Sequence, residues 1–507
     1  MKTKLLCLFL ALLMLSTGLL VGCAGGGEEV KGTGEFTPVT GGDSVDPNEV
    51  YDAEVKNLGG HEFRFYVEDY GMEHWKTREV YAEAPTGDKI NDAVFQRNSQ
   101  IAQTYNCTVV EDKYVNVDVA AALRDPLMAG EYVADFIYGT ATDMLTLASS
   151  KLFVDYATLD NINLDKVWWD KNFVEGVNVG GKYYFLSGSA GISDDLCAWA
   201  MCFNKDYVRE YRTDLDLYQV VREGKWTVDL LYEIFSNTTR DNDGDGAILT
   251  PGTDRFGFIA DYQDNFGMIQ AGNITLANYS ANGDIEIPDQ PKPEILDAWS
   301  KLRPVLTSPY RLVTDAPRYV REGTAVFASC AVAAVVMKAG QSKVNMGLLP
   351  MPKLSESQDK YYNPVYYDMC NVYAIPTTVE LATDWQSNGF SSGAEQCAYF
   401  LEAFGYYSHV ILKPAFYEQV MLKQNATDSE SAEMVDAMLE NKVYDPVAGY
   451  RWGKLVYSFY ECGRGEKDAP GSDINYDNLV AVYSSRVRSA RKALENYITA
   501  INVEDQA

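Results

Sequence analysis

Carboxylates stand at every second position in the run Asp241-Asn242-Asp243-Gly244-Asp245-Gly246. Alternate acids converge on the inside of a tight loop, and glycine at the sixth position permits the turn. This is the first half of a calcium-binding loop. The twelfth position of such a loop should carry a bidentate glutamate. Here it is Gly252, with Asp254 as a substitute from a longer loop. The rival reading is an acidic turn after a helix, in which Asn and Gly accept left-handed backbone angles. Calcium at Asp241, Asp243 and Asp245 is thus one expectation, and no other residues require a cofactor. Three histidines, His61, His74 and His409, leave little material for a histidine-based triad or zinc site. GxSxG, HExxH and Walker-type loops are absent. Two carboxylates could hydrolyse a glycoside. With 72 acids in the chain, however, nominating a pair carries no weight.

A second reactive group is Cys23. Met1-Lys2-Thr3-Lys4 is a short positive start, and Leu5 to Val21 is almost wholly apolar. A membrane span needs about 20 apolar residues and anchoring flanks. This run is shorter and ends in small residues, so residues 1–22 read as a secretory signal peptide. Leu20-Val21-Gly22-Cys23 resembles a bacterial lipobox, in which the thiol is alkylated by a diacylglyceryl group and the cysteine becomes the new N-terminus. The plain alternative is ordinary cleavage beside an incidental cysteine. Residues 23–55 are rich in Gly, acid and Thr and have no apolar period, so they form a tether. Its root-mean-square reach is roughly 30 Å.

About 450 residues follow the tether, too many for one core and natural for two lobes. The 507-residue chain carries a formal charge of −29, which argues against a nucleic-acid partner. Beyond Cys7 and Cys23 there are Cys107, Cys197, Cys202, Cys330, Cys370, Cys397 and Cys462, widely spaced and without CxxC. That is neither a disulfide framework nor a zinc knuckle, and buried free thiols are expected. The 35 Tyr and 8 Trp offer flat amphipathic faces for stacking on sugar rings, with core packing as their usual alternative.

The elements that must position such faces alternate. HEFRFYV (61–67) reads as a strand, Ile90 to Tyr105 as a helix, CTVVEDKY as a strand and VDVAAALRDPLMAGE as a helix. ADFIYGT (134–140) is an apolar strand, followed by a helix over ATDMLTLASSKLF. Thr227 is the expected N-cap of VDLLYEIF. Alternation of this kind predicts α/β lobes with a largely parallel sheet and helices on both faces. Ligands of such sheets sit beyond the carboxyl ends of strands, which points to Gly139, Thr140, Thr142 and Asp143. Tyr70 and Trp75 follow the first strand, and Asp264 and Asn265 follow the FGFIADYQ strand.

ADFIYGTATDMLTLASSKLFVDY, GGKYYFLSG, MCFNKDYVREY, GKWTVDLLYEIFSNTTRDNDGDG, DRFGF, FASC…VNMGLLPMPKL and YAIPTTVE occur in that order. The set resembles the family 1 extracellular solute-binding proteins of ABC importers, the maltose-binding-protein-like class, over roughly residues 60–500. The late segments AFYEQVMLKQNATDSESAEM and VYDPVAGYRWG look like a clostridial-type subgroup. The resemblance implies a two-lobed periplasmic-binding-protein fold, type II-like, with hinge crossovers near 197–202, 346–350 and 374–382. It implies one lobe from 56–199 and 347–380, and a second from 200–346 and 381–507. It implies a monomeric, non-enzymatic binder of a small-molecule solute, by expectation a carbohydrate. Its partners would be ABC permease subunits, with a lipid anchor on the extracytoplasmic face of a bacterial membrane. By the same resemblance Trp199 sits where the lobes meet and Tyr367 and Asp368 precede the third crossing. Trp452 lies in the late YRWG segment and is expected in the same cleft. A sensing or adhesion lipoprotein of the same fold is the alternative, with a surface glycoside hydrolase behind it.

Overall fold

The computed structural model describes residues 46–71, 75–246, 248, 253–280, 284–314, 317–336, 342–382, 384–423, 429–463 and 475–502. The signal segment, Cys23 and the tether to residue 45 lie outside the described residues. Strand β1 (His61–Asp69) pairs in parallel with β2 (Cys107–Val115), from His61 opposite Cys107 to Asp69 opposite Val115. Helix Lys89–Tyr105 connects them. The Asp88 carboxylate caps it, accepting from the Ile90 and Asn91 amides at 3.1 Å. β3 (Phe136–Thr140) runs parallel to β1 on its other side. It is buried along its whole length, as a strand covered on both faces must be.

A second sheet begins with β4 (Trp199–Asn204) and β5 (Phe256–Ala260). The small hairpin of β6 (Asn278–Tyr279) and β7 (Ile285–Glu286) intervenes before β8 (Arg311–Val313), β9 (Ala325–Ala331) and β10 (Met346–Leu349). The order in this sheet is β10-β4-β9-β5-β8. β11 (Asn363–Pro364) then leads to β12 (Asn371–Ala374), which completes the first sheet in the order β12-β3-β1-β2. β13 (Lys442–Val443) pairs with β11.

Neither sheet is purely parallel. β12 is antiparallel to β3, and β4 is antiparallel to both β9 and β10. The antiparallel partners are the strands that arrive from the other sheet, and such a strand has no helical crossover to turn it round. Each sheet has its own core. In the first, Phe63 stacks on Phe400 at 3.8 Å between ring centroids and Phe65 on Phe136 at 4.7 Å. In the second, Phe327 stacks between Phe203 and Trp226 at 6.0 and 5.8 Å. Thr227 caps its helix as expected, its hydroxyl accepting from the Leu230 amide.

The first two expected crossings fall on β4 and β10, neighbouring strands of the second sheet with Leu349 opposite Met201, and the third begins at the end of β12 in the first sheet. After β12 the chain makes a short turn over Thr377–Leu381 and enters helix Gly393–Tyr407, which brings Phe400 onto Phe63. Residues 393–407 therefore pack on the first sheet, although everything after 381 was expected in the second lobe. Every residue of this helix is buried, so it needs cover on all sides, and the aromatic face of the first sheet supplies one of them. The seven cysteines after Cys23 are all buried and unbonded.

Candidate functional site

The carboxyl ends of strands from both sheets converge on one narrow cleft. Beyond β3, helix Ala141–Leu147 brings Thr142 to the wall. Beyond β5, the helix Asp264–Gln270 presents Phe266, Gly267 and Gln270, with Gln263 just before it. The segment between β11 and β12 supplies Val365, Tyr366, Tyr367 and Asp368. Trp199, the first residue of β4, stands between the two sheets. The late turn brings Arg451, and helix Tyr457–Cys462 adds Tyr457 and Tyr460. As folded, the free volume of the cleft is about 40 Å³, which is room for a few water molecules.

Aromatic faces line this space. Trp199 and Tyr366 lie 5.6 Å apart at 33°. Trp75 is 6.2 Å from Tyr366. Tyr460 stands edge-on to Tyr262 at 5.5 Å and 5.2 Å from Tyr457. Gly267 sits against the indole: a Cβ there would lie in ordinary contact with Trp199 at 3.6 Å. The polar centre is Asp368. The Thr142 hydroxyl donates to its carboxylate at 2.6 Å, the Arg451 guanidinium pairs with the same oxygen, and the Tyr70 hydroxyl donates to its carbonyl at 2.6 Å. Arg451 holds a left-handed backbone (φ 51), a conformation that a non-glycine residue keeps only where its surroundings enforce it. Burial raises the Asp143 carboxyl, and Asp118 and Asp368 add to this while Arg451 opposes it.

The sequence-expected residues fall into three groups. Trp199, Tyr367 and Asp368 line the cleft, and Tyr70, Trp75 and Asp143 adjoin it through Asp368, Tyr366 and Arg451. Gly139, Thr140, Asp264 and Asn265 are buried behind the wall. The Thr140 amide donates to Glu68 at 2.7 Å. Asp264 accepts from Ser329 and from the Asp261 amide, and burial pushes its carboxyl up to about 7. Asn265 accepts from Arg311 at 2.7 Å. Trp452 is elsewhere: it stacks on Tyr450 at 4.6 Å and packs against Tyr497 of the helix Leu479–Asn502.

Gln263, Tyr366, Arg451, Tyr457 and Tyr460 were missed. For the helix after β5 the signal was its phase. Gln263, Phe266, Gly267 and Gln270 recur at helical spacing and share one face, whereas Asp264 and Asn265 point away from it.

In the acidic loop, Asp241 accepts from the amides of Gly244 (2.6 Å) and Gly246 (2.8 Å), which hold its carboxyl below the usual range. Oxygens of Asp241, Asp243 and buried Asp254 lie within 4.8 Å of one another. Asp254, not Asp245, completes the group, as the longer-loop reading allows.

No protein-family model and no curated protein matches the chain. Among solved structures, a cyclo/maltodextrin-binding protein complexed with maltotetraose is similar at 12% identity. The match has a TM-score of 0.51 and covers 90% of this chain and all of that one. The likeness is one of fold: this chain has the two-lobed α/β architecture of solute-binding proteins. The Bdellovibrio bacteriovorus maltose/maltodextrin-binding domain bound to maltotriose is 14% identical over 87% of this chain and 99% of that one, with a TM-score of 0.46. A Listeria monocytogenes ABC substrate-binding protein in complex with cycloalternan is 12% identical over 88% of this chain and all of that one, with a TM-score of 0.47.

Proposed function

We propose that the chain is the solute-binding component of an ABC importer and captures an oligosaccharide between its two lobes without chemically changing it. The observation that carries this is the cleft at the strand ends. Tilted aromatic faces at Trp199 and Tyr366 suit the apolar face of a sugar ring, and Asp368, Arg451 and Gln263 suit its hydroxyls. The fold it shares with a maltotetraose-bound protein supports the same reading. A cleft of about 40 Å³ cannot admit a sugar ring as it stands. Capture therefore requires the lobes to part and close again about the connections between the two sheets. The test is a thermal-shift and calorimetric screen of the full chain against neutral oligosaccharides. A ligand at 100 times its Kd adds about 2.7 kcal/mol of stability. A screen in which no oligosaccharide shifts the melting temperature refutes the proposal.

The proposal places the protein on the extracytoplasmic face of the membrane, anchored by lipid on Cys23 and partnered by permease subunits. Among the described residues no helix is long and apolar enough to cross a membrane. Cys23→Ala should release the protein from membranes, and retention of the variant there refutes the anchor. Membership of the clostridial-type subgroup rests on the late sequence segments alone. Calcium at Asp241, Asp243 and Asp254 is proposed as a structural ion, because three carboxylates meet there on one side of a glycine-bearing turn. Calorimetry showing no heat and no change in melting temperature at millimolar calcium would leave only an acidic turn.

A further inference from the structure

This inference rests on the cleft being the solute site and concerns the charge of the solute. Asp368 lines the cleft, and its carboxylate is the one that Thr142 and Arg451 reach. Asp261, which follows β5, accepts from the backbone amide of the cleft-lining Gln263 at 3.1 Å. Asp143 is the next residue after Thr142 on the opposite wall, and Asp118 lies close enough to it to be felt. Against these acids, Arg451 is the one cationic side chain among the described residues that line the cleft, and Asp368 already holds it.

An anionic sugar would bring a further carboxylate or sulfate into this enclosed space, where among the described lining residues the one cation, Arg451, is already paired with the one acid, Asp368. Unpaired like charge is how a site rejects a ligand of otherwise suitable shape. We propose that the cleft selects oligosaccharides whose rings are neutral or carry an amine and rejects uronates, with Asp143, Asp261 and the Asp368–Arg451 pair as the specificity-determining groups.

The test is calorimetric titration of the full chain with four probes of equal length: maltotetraose, cellotetraose, a glucosamine tetramer and tetragalacturonate. At least one neutral or amine tetramer should bind, and tetragalacturonate should bind about 100-fold more weakly or not at all. The double variant Asp143→Asn, Asp261→Asn should narrow that gap about tenfold while keeping its melting temperature within a few degrees. Tetragalacturonate binding as tightly as the neutral tetramers overturns the charge inference and leaves the binding role intact. So does an unchanged ratio in a folded double variant. If no probe binds at all, the binding proposal fails and the inference falls with it.

Discussion

Replacing Lys442 with methionine should destabilise the protein by about 3–5 kcal/mol at pH 8, and by much less near pH 4.5. Lys442 lies on β13, 7% exposed, and its ammonium bonds Asp170 and Asp195 at 2.9 Å as well as Asp194. Lys413 also pairs with Asp195. Asp194 and Asp195 belong to the short helix Ser193–Leu196, which ends just before β4 carries the chain into the second sheet. The cluster therefore fastens the start of a crossing to β13. Its three carboxylates face two ammoniums, and burial with Asp195 beside it pushes Asp194 up to about 6, against the pull of Lys442. Asp195 is buried as well, yet Lys413 and Lys442 hold it down at about 2. Methionine keeps most of the lysine stem's packing and removes only the charge. Three buried carboxylates then face Lys413 alone.

The pH dependence has a definite sign. Without Lys442 the folded-state pKa values of these acids rise above the unfolded value of about 3.9. A group raised in this way contributes its stability below the unfolded pKa and loses it as pH rises through the folded pKa. The deficit of the variant should therefore open between pH 4 and 8, by about 1.4 kcal/mol per pH unit for each proton the folded state retains. Paired urea titrations of both proteins, followed by circular dichroism at pH 4.5 and 8, measure it. A deficit under about 1 kcal/mol at pH 8, or an equal deficit at both pH values, refutes the argument that this lysine neutralises a buried acidic cluster.

Three further outcomes are expected. Trp199→Ala should weaken oligosaccharide binding with little change in melting temperature, whereas Trp452→Ala, which empties the stack on Tyr450, should cost about 3–5 kcal/mol and leave the affinity of the folded fraction unchanged; the reverse pattern contradicts the placement of these two side chains. Glu68, Glu111, Glu402 and Asp264 are each pushed up to about 7, chiefly by burial. Stability from raised groups is full below the unfolded pKa and is lost through pH 7, so calorimetric melting temperatures should fall from pH 5 to pH 8; a flat or rising profile contradicts this. Gly257→Ala should destabilise the second lobe, since a Cβ there would lie 2.5 Å from the Phe235 carbonyl oxygen; an unchanged denaturation midpoint in urea would show that this helix–strand contact gives way freely.

The alternation of strands and helices was legible because local rules set it. The β1–helix–β2 unit follows from apolar periodicity, and the Thr227 cap follows from a single residue type. The long-range pairings were not legible. Nothing in NVYA distinguishes a strand laid antiparallel on β3 from one crossing to the other sheet, because a short strand buried along its whole length has no polar face to reveal its neighbours. Helix Gly393–Tyr407 went to the wrong lobe for a related reason. With every face buried it carries no amphipathic signal, and only the stacking of Phe400 on Phe63 determines where it belongs.

The cleft shows the same limit at finer scale. Position along the chain located turns that border the cleft, but one step along a turn reverses the direction of a side chain. Asp264 and Asn265 lie on the helix whose opposite face reaches the cleft, and Trp452 follows the Arg451 that does reach it. Residue chemistry favoured the indole over the guanidinium as a sugar platform. The structure divides the roles otherwise: Trp452 completes an aromatic stack with Tyr450, while Arg451 turns through a left-handed backbone to meet Asp368. Because Asp368 also takes the Thr142 hydroxyl and offers its carbonyl to Tyr70, three side chains from distant parts of the chain are gathered on one residue of the segment that leads into β12.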